Sequence, residues 1–224
     1  MKRITTLTGP SCAGKSTLEG LMVEEGCLKA VSTTTRAPRA GEKEGVDYYF
    51  IDNSKFKRLQ AQGAFIESVQ FGEHWYGVTG HEVERLFALG DHVVLVCEPV
   101  GAKQIALYCK HWRDIILTSV FVDNPDVVIG ERFLTRFYND LREVVDLGVG
   151  QAGHRRVLAS YAKRMAMIAG VERSWVAEAY GHAHPSYRES DNSAFHYDIL
   201  VESFGEENRD AVVRMLISPN PVLA

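Results

Sequence analysis

Gly9-Pro-Ser-Cys-Ala-Gly14-Lys15-Ser16-Thr17 fits the pattern of two glycines separated by four residues and followed by Lys and Ser. It lies directly between a short run suited to a strand, Ile4 to Thr8, and a run suited to a helix, Ser16 to Glu25. That order constrains the fold strongly. A glycine-rich turn of this kind points successive backbone N–H groups inward, and the helix start that follows adds the positive end of its dipole. The product is an anion cradle between a buried strand and a packed helix. Leu18, Leu21 and Met22 give the helix an apolar face, and Gly26 ends it. The residues Gly9, Pro10, Ser11, Cys12, Ala13, Gly14, Lys15, Ser16 and Thr17 are therefore the candidate triphosphate site. Lys15 supplies a mobile charge for the outer phosphates, and the Ser16 hydroxyl is the candidate ligand of a Mg2+ ion carried with ATP.

Four further β-branched runs follow, at Ala30 to Thr34, His92 to Glu98, Ile115 to Val122 and Tyr197 to Glu202. Each is almost continuously apolar at its centre, which suits strands covered on both faces, so an α/β fold with a parallel sheet flanked by helices is expected. Two segments interrupt that alternation. Residues 36 to 80 are rich in Gly, Tyr and charge, with an amphipathic stretch at Ser54 to Gln62, and read as an inserted substrate module. Residues 126 to 160 concentrate Arg132, Arg136, Arg155 and Arg156 with few strand signals, and read as a helical lid.

Composition removes several classes. A net charge of -4 over 224 residues argues against a general nucleic-acid or membrane-surface protein, both of which need a basic excess. No apolar stretch reaches the roughly 18 residues of a membrane span. Met1-Lys2-Arg3 leads straight into the first strand rather than into a leader, so a cytoplasmic protein with small-molecule partners is expected. Cys12, Cys27, Cys97 and Cys109 have neither metal-ligand spacing nor a disulfide framework. His182, His184 and His196 read as surface residues of an extended loop.

The stretch from Ser32 through Arg36, Arg39, Glu42, Gly45 and Asp47 to Tyr48 and Phe50 closely resembles the monophosphate-binding signature of guanylate kinases. Phe65-Ile66-Glu67 and Gln70-Phe71-Gly72-Glu73-His74-Trp75-Tyr76-Gly77 resemble that family's guanine-reading and phosphate-holding segments. Gly90 to Ile105, with Glu98 and Gly101-Ala102, resembles its core strand and next helix, so the similarity is nearly continuous from residue 3 to about residue 122. The resemblance implies a P-loop NTPase-type fold in a single domain over residues 1–224. Its core would comprise 1–31, 81–125 and 161–224, with a monophosphate-binding module at 32–80 and a lid at 126–160.

It further implies ATP-dependent phosphorylation of GMP or dGMP by direct in-line transfer. Lys15, Arg132, Arg136 and Arg156 would be the catalytic cations, and Ser32, Arg36, Arg39, Tyr48, Glu67, Tyr76, Val78 and Glu98 the acceptor site. The chemistry suits such a set. A monophosphate carries about two negative charges near neutral pH and calls for several charge-assisted donors in fixed geometry. One carboxylate can accept both N1–H and the 2-amino group of guanine, as Glu67 would, and adenine offers no such donor pair.

The chain also departs from the family pattern. Val78 stands where a Ser or Thr is usual, Val96 and Glu98 replace two aspartates, and Val100 replaces a glutamine. The lid between Arg136 and Arg155 and the loop Gly181 to Phe195 are long. These changes keep open a kinase of the same fold for a modified purine deoxynucleotide such as 2-amino-dAMP. A non-catalytic binding domain is the weaker alternative, because the phosphate loop is intact.

Overall fold

The computed structural model describes residues 1–39, 41–112, 114–148, 150–172, 174–176, 179, 197–202 and 204–218. The loop expected at 181–195, with His182, His184 and His196, lies outside the described residues. A five-stranded parallel sheet is ordered β2-β7-β1-β8-β9, from β1 (Lys2–Thr8), β2 (Leu28–Lys29), β7 (His92–Val96), β8 (Ile115–Val122) and β9 (Ile199–Val201). The strands alternate their apolar side chains between two cores, as a sheet covered on both faces requires. Leu7, Val94, Val120 and Val122 pack with α1 (Lys15–Glu24) and the C-terminal helix α7 (Arg209–Ile217) through Leu18, Met22, Val213 and Leu216. Ile4, Val93 and Leu95 pack on the other face with α3 (Gly80–Phe87) and α4 (Pro99–Cys109) through Val83, Leu86 and Ile105.

The run Ala30 to Thr34 is not one strand. Only Leu28–Lys29 pairs in the central sheet, with the Ala30 N–H extending the ladder to the Val94 carbonyl. The chain then crosses over at Val31, whose N–H donates to Glu82, and β3 (Thr33–Thr34) joins a second sheet. That four-stranded sheet is ordered β4-β3-β6-β5, with β4 (Tyr49–Phe50), β5 (Phe65–Phe71) and β6 (His74–Thr79). Beside it lies α2 (Asn53–Ala61), capped by the Asp52 carboxylate on the Lys55 N–H. The strand expected to reach Glu98 stops at Val96, because Pro99 starts α4 with Glu98 at its N-cap.

After β8 the chain forms an antiparallel pair of long helices, α5 (Asp126–Asp146) and α6 (Gly150–Met167), followed by a π-helical turn at Ile168–Glu172. Phe133 and Phe137 of α5 pack edge-on and tilted against Tyr161 of α6, and the Tyr161 hydroxyl donates to Asp140 at 2.6 Å. Among the described residues, no helix is long and apolar enough to cross a membrane.

His92 fixes one end of the sheet between the Thr5 hydroxyl at 2.8 Å and the Cys27 sulfur at 3.4 Å. Burial, with Arg3 nearby, holds its imidazole down at about 4. The unfolded chain binds the His92 proton below about 6.5 while the folded chain refuses it until about 4, so stability falls as pH drops through that window. The expected size is at most about 3 kcal/mol. Urea midpoints between pH 7 and 4 should show the loss in the parent, and a His92→Gln variant should lack it. Parallel curves for the two proteins would refute the assignment.

Candidate active site

The phosphate loop takes its shape from close backbone packing. A Cβ at Gly9, whose φ is +144°, would lie 2.0 Å from the Val122 carbonyl oxygen, so only glycine lets the loop leave β1 against β8. Cys12 adopts a φ of +65°, and Gly14 caps α1. From behind, Asn124 donates to the Ala13 carbonyl at 2.6 Å, and Arg132 reaches the carbonyls of Cys12 and Ala13 at 3.4 and 3.3 Å and that of Phe204 at 2.8 Å. These ties fix the Cys12 and Ala13 carbonyls in place.

Two cavities meet at this loop. One of about 460 Å³ is lined by Ser11, Cys12 and Gly14 to Thr17, by Arg132 and Arg136 of α5, and by Phe204 to Glu206 and Arg209. The other, about 240 Å³, is lined by Ser32, Tyr48, Glu67, Tyr76, Val96 and Glu98, with Val69, Phe71 and Cys97, and on the lid side by Glu172 and Trp175. Ser11 and Lys15 belong to both walls. Lys15 therefore stands where the two spaces touch. Its ammonium is enclosed and donates to the Gly9 and Pro10 carbonyls at 2.8 and 2.7 Å. Burial brings its pKa down to about 8, against the opposing pull of Glu172.

The second cavity ends in a pair of carboxyls. Glu67 is only 4% exposed, and burial, helped by the Glu98 charge and opposed by a hydrogen bond from the Val78 N–H, pushes it up to about 8. Glu98 is raised to about 7 by burial and by Glu172, while Lys15 opposes. Gly101 permits the approach of Glu67, since a Cβ there would sit 2.8 Å from the Glu67 Oε2. Tyr48 and Tyr76 stand edge to face with centroids 6.0 Å apart. Neither Arg36 nor Arg39 lines these two cavities: Arg36 lies over the Tyr48 ring at 5.3 Å and forks onto Glu42 at 2.8 and 2.9 Å, and Arg39 is exposed.

Not every residue singled out in the sequence reaches the site. Val78 does not face the cavity: its side chain is fully buried in the core beside Ile66 and Val83, and only its N–H serves Glu67. Arg156 is exposed on α6 and lines neither cavity. Arg164 of the same helix also lines neither cavity, but it is half-buried over the Tyr161 ring at 5.2 Å and its charge acts on both Cys12 and Arg39. Glu172 and Trp175 also went unnoticed in the sequence. Arg164 lay in a helical stretch with several cations, and no motif marks the other two.

The guanylate kinase family model matches residues 1–140. The chain belongs to the guanylate kinase family. Among its relatives, the guanylate kinase of Sphingopyxis alaskensis is 38% identical over 150 residues, 66% of each chain. That of Trichormus variabilis is 44% identical over 105 residues, 46% of this chain and 53% of its own. The matched stretch thus spans less than two thirds of either relative. A crystal structure of guanylate kinase from Anaplasma phagocytophilum superposes with a TM-score of 0.52 at 25% identity, covering 96% of this chain and 84% of the other. The central parallel sheet with flanking helices is therefore the P-loop fold of that family.

Proposed function

We propose that the protein transfers the γ-phosphoryl group of ATP to the 5'-phosphate of GMP or dGMP. The observation that carries this reading is the meeting of the two cavities at Ser11 and Lys15: a phosphate-loop space on one side, a carboxyl-ended space on the other. A phosphate monoester is already a competent nucleophile, so the protein has to align two anions and neutralise charge between them. Lys15 stands at that junction, Arg132 and Arg136 line its phosphate-loop side, and the charge of Arg164 reaches Cys12 and Arg39 beside it. Arg36 and Arg39 hold the acceptor phosphate once Arg36 gives up Glu42. Ser32, Glu67 and Glu98 read the base, and Tyr48 and Tyr76 position the nucleotide.

Ser16, exposed at the start of α1, fits a Mg2+ ion that takes its other ligands from phosphates and water. The metal would supply charge neutralisation across the outer phosphates. In this reading the second sheet belongs to the acceptor module, and α5 with α6 forms the lid, which then runs to Met167 instead of ending at residue 160 as the sequence suggests. Both substrates and products are small cytoplasmic nucleotides. ADP release over a panel of GMP, dGMP, AMP, CMP and UMP tests the proposal, and no release above background, or AMP serving as well as GMP, would overturn it.

The lid arginines separate cleanly. Arg164→Ala is expected to lower kcat about tenfold to a hundredfold, by removing one charge from a water-poor transfer site, whereas Arg156→Ala should change it less than about threefold. Steady-state kinetics of the two variants decide this, and a larger loss in Arg156→Ala would return the role to that residue.

A further inference from the structure

Glu172 ends the π-helical turn that follows α6, and it is 2% exposed. Its carboxylate accepts two hydrogen bonds from a single phosphate-loop residue, the Ser11 N–H at 2.6 Å and the Ser11 hydroxyl at 2.8 Å. The transfer scheme above makes no use of this contact. A carboxylate seated on a backbone N–H of an anion cradle stands where a phosphate oxygen would otherwise bind. Ser11 is moreover one of the two residues shared by both cavities, which places the contact at the outer-phosphate end of the loop. Lys15 is meanwhile turned onto the Gly9 and Pro10 carbonyls.

We infer that Glu172 is a positioning residue of the donor site, holding the place of the γ-phosphate on Ser11 in the free protein and yielding it to ATP. The inference rests on the ATP-binding reading of the loop. Arrival of a third phosphate brings a negative charge against a buried carboxylate, and both compete for the same two donors. ADP ends one phosphate deeper in the loop and leaves the pair intact. Glu172 also borders a cavity of about 340 Å³ whose wall includes Pro10, Asp123, Asp126, Ile129, Phe133 and Met165. Because the turn is continuous with α6, release of Glu172 also frees the base of the lid at the moment the donor is complete.

Calorimetric binding of a non-hydrolysable ATP analogue and of ADP, each without acceptor, tests this independently of which monophosphate is used. Glu172→Gln removes the charge while keeping the side chain's length. If the occupied state lowers the competent fraction of donor sites, this variant should bind the analogue about fivefold to tenfold more tightly, with ADP affinity unchanged within about twofold. A purely structural role would move both nucleotides together. In the parent protein, amide exchange over residues 168–172 should quicken with the analogue and stay at the free level with ADP. Analogue affinity no tighter in Glu172→Gln, an equal shift for ADP, or identical exchange in the three parent states would each overturn the inference. The exchange measurement decides it alone if the variant does not fold.

Discussion

Lys15→Ala should lower kcat about a thousandfold in a protein that remains folded, because a preorganised charge at the transfer point acts on the transition state more than on packing. The ammonium is drawn onto two carbonyls of its own loop and is enclosed. Removing it strands those carbonyls beside a water-accessible cavity rather than in an apolar core, so the melting temperature should move by no more than about 4 °C, equivalent to about 1 kcal/mol in a chain of this size. The lowered pKa of about 8 adds a second signature. The free protein carries the charge below about pH 8 and loses it above, so ATP binding should weaken as pH rises through that value in the parent and stay flat in the variant. Lys15→Arg should not rescue, since a planar fork does not replace a compact ammonium in an enclosed space. Single-turnover kinetics with saturating ATP isolate the chemical step, and near-normal turnover in Lys15→Ala would end the phosphoryl-transfer reading even if ATP still bound.

What was legible in the chain depended on how local its cause is. The phosphate loop could be read because backbone geometry dictates it: Gly9 must pass the Val122 carbonyl and the amides after it must turn inward. Glu67, Ser32, Tyr48 and Tyr76 could be named from resemblance, and they do line one cavity. Ala30 to Thr34 misled because a β-branched run shows that a segment is extended without showing which sheet it joins. The crossover is fixed by a distant group, Glu82, on the Val31 N–H. Resemblance puts Val78 in the acceptor site, yet the bulge between Phe65 and Glu67 sets Glu67 opposite Val78, whose methyls lie in the core. The lid was hardest. Which arginine of α6 turns inward depends on the helix phase relative to α5, set by Phe133, Phe137 and Tyr161 across the bundle, and no local signal carries that.

Glu67→Gln should reduce kcat/KM for GMP about a hundredfold and should also abolish a proton release that accompanies acceptor binding in the parent protein. In the free site burial keeps Glu67 protonated up to about pH 8, whereas N1–H and the 2-amino group of guanine are two donors that call for the ionised form. Binding at pH 7 therefore expels a proton, and affinity for GMP should rise with pH through about 8 and then level off. Glu98, raised to about 7 in the same cavity, titrates nearby, and the Glu67 variant separates the two. Calorimetry in buffers of different ionisation enthalpy counts the protons. Val78→Thr makes a useful contrast: its hydroxyl would enter an apolar core rather than the base pocket. It should change kcat/KM less than about threefold while costing roughly 1 to 2 kcal/mol of stability. With only Ser32 left near the 6-position, 2-aminopurine nucleotides altered there should be accepted far better than AMP. Equal efficiency of AMP and GMP, or a Glu67→Gln variant that releases the same number of protons as the parent, would remove Glu67 from the reading of the base.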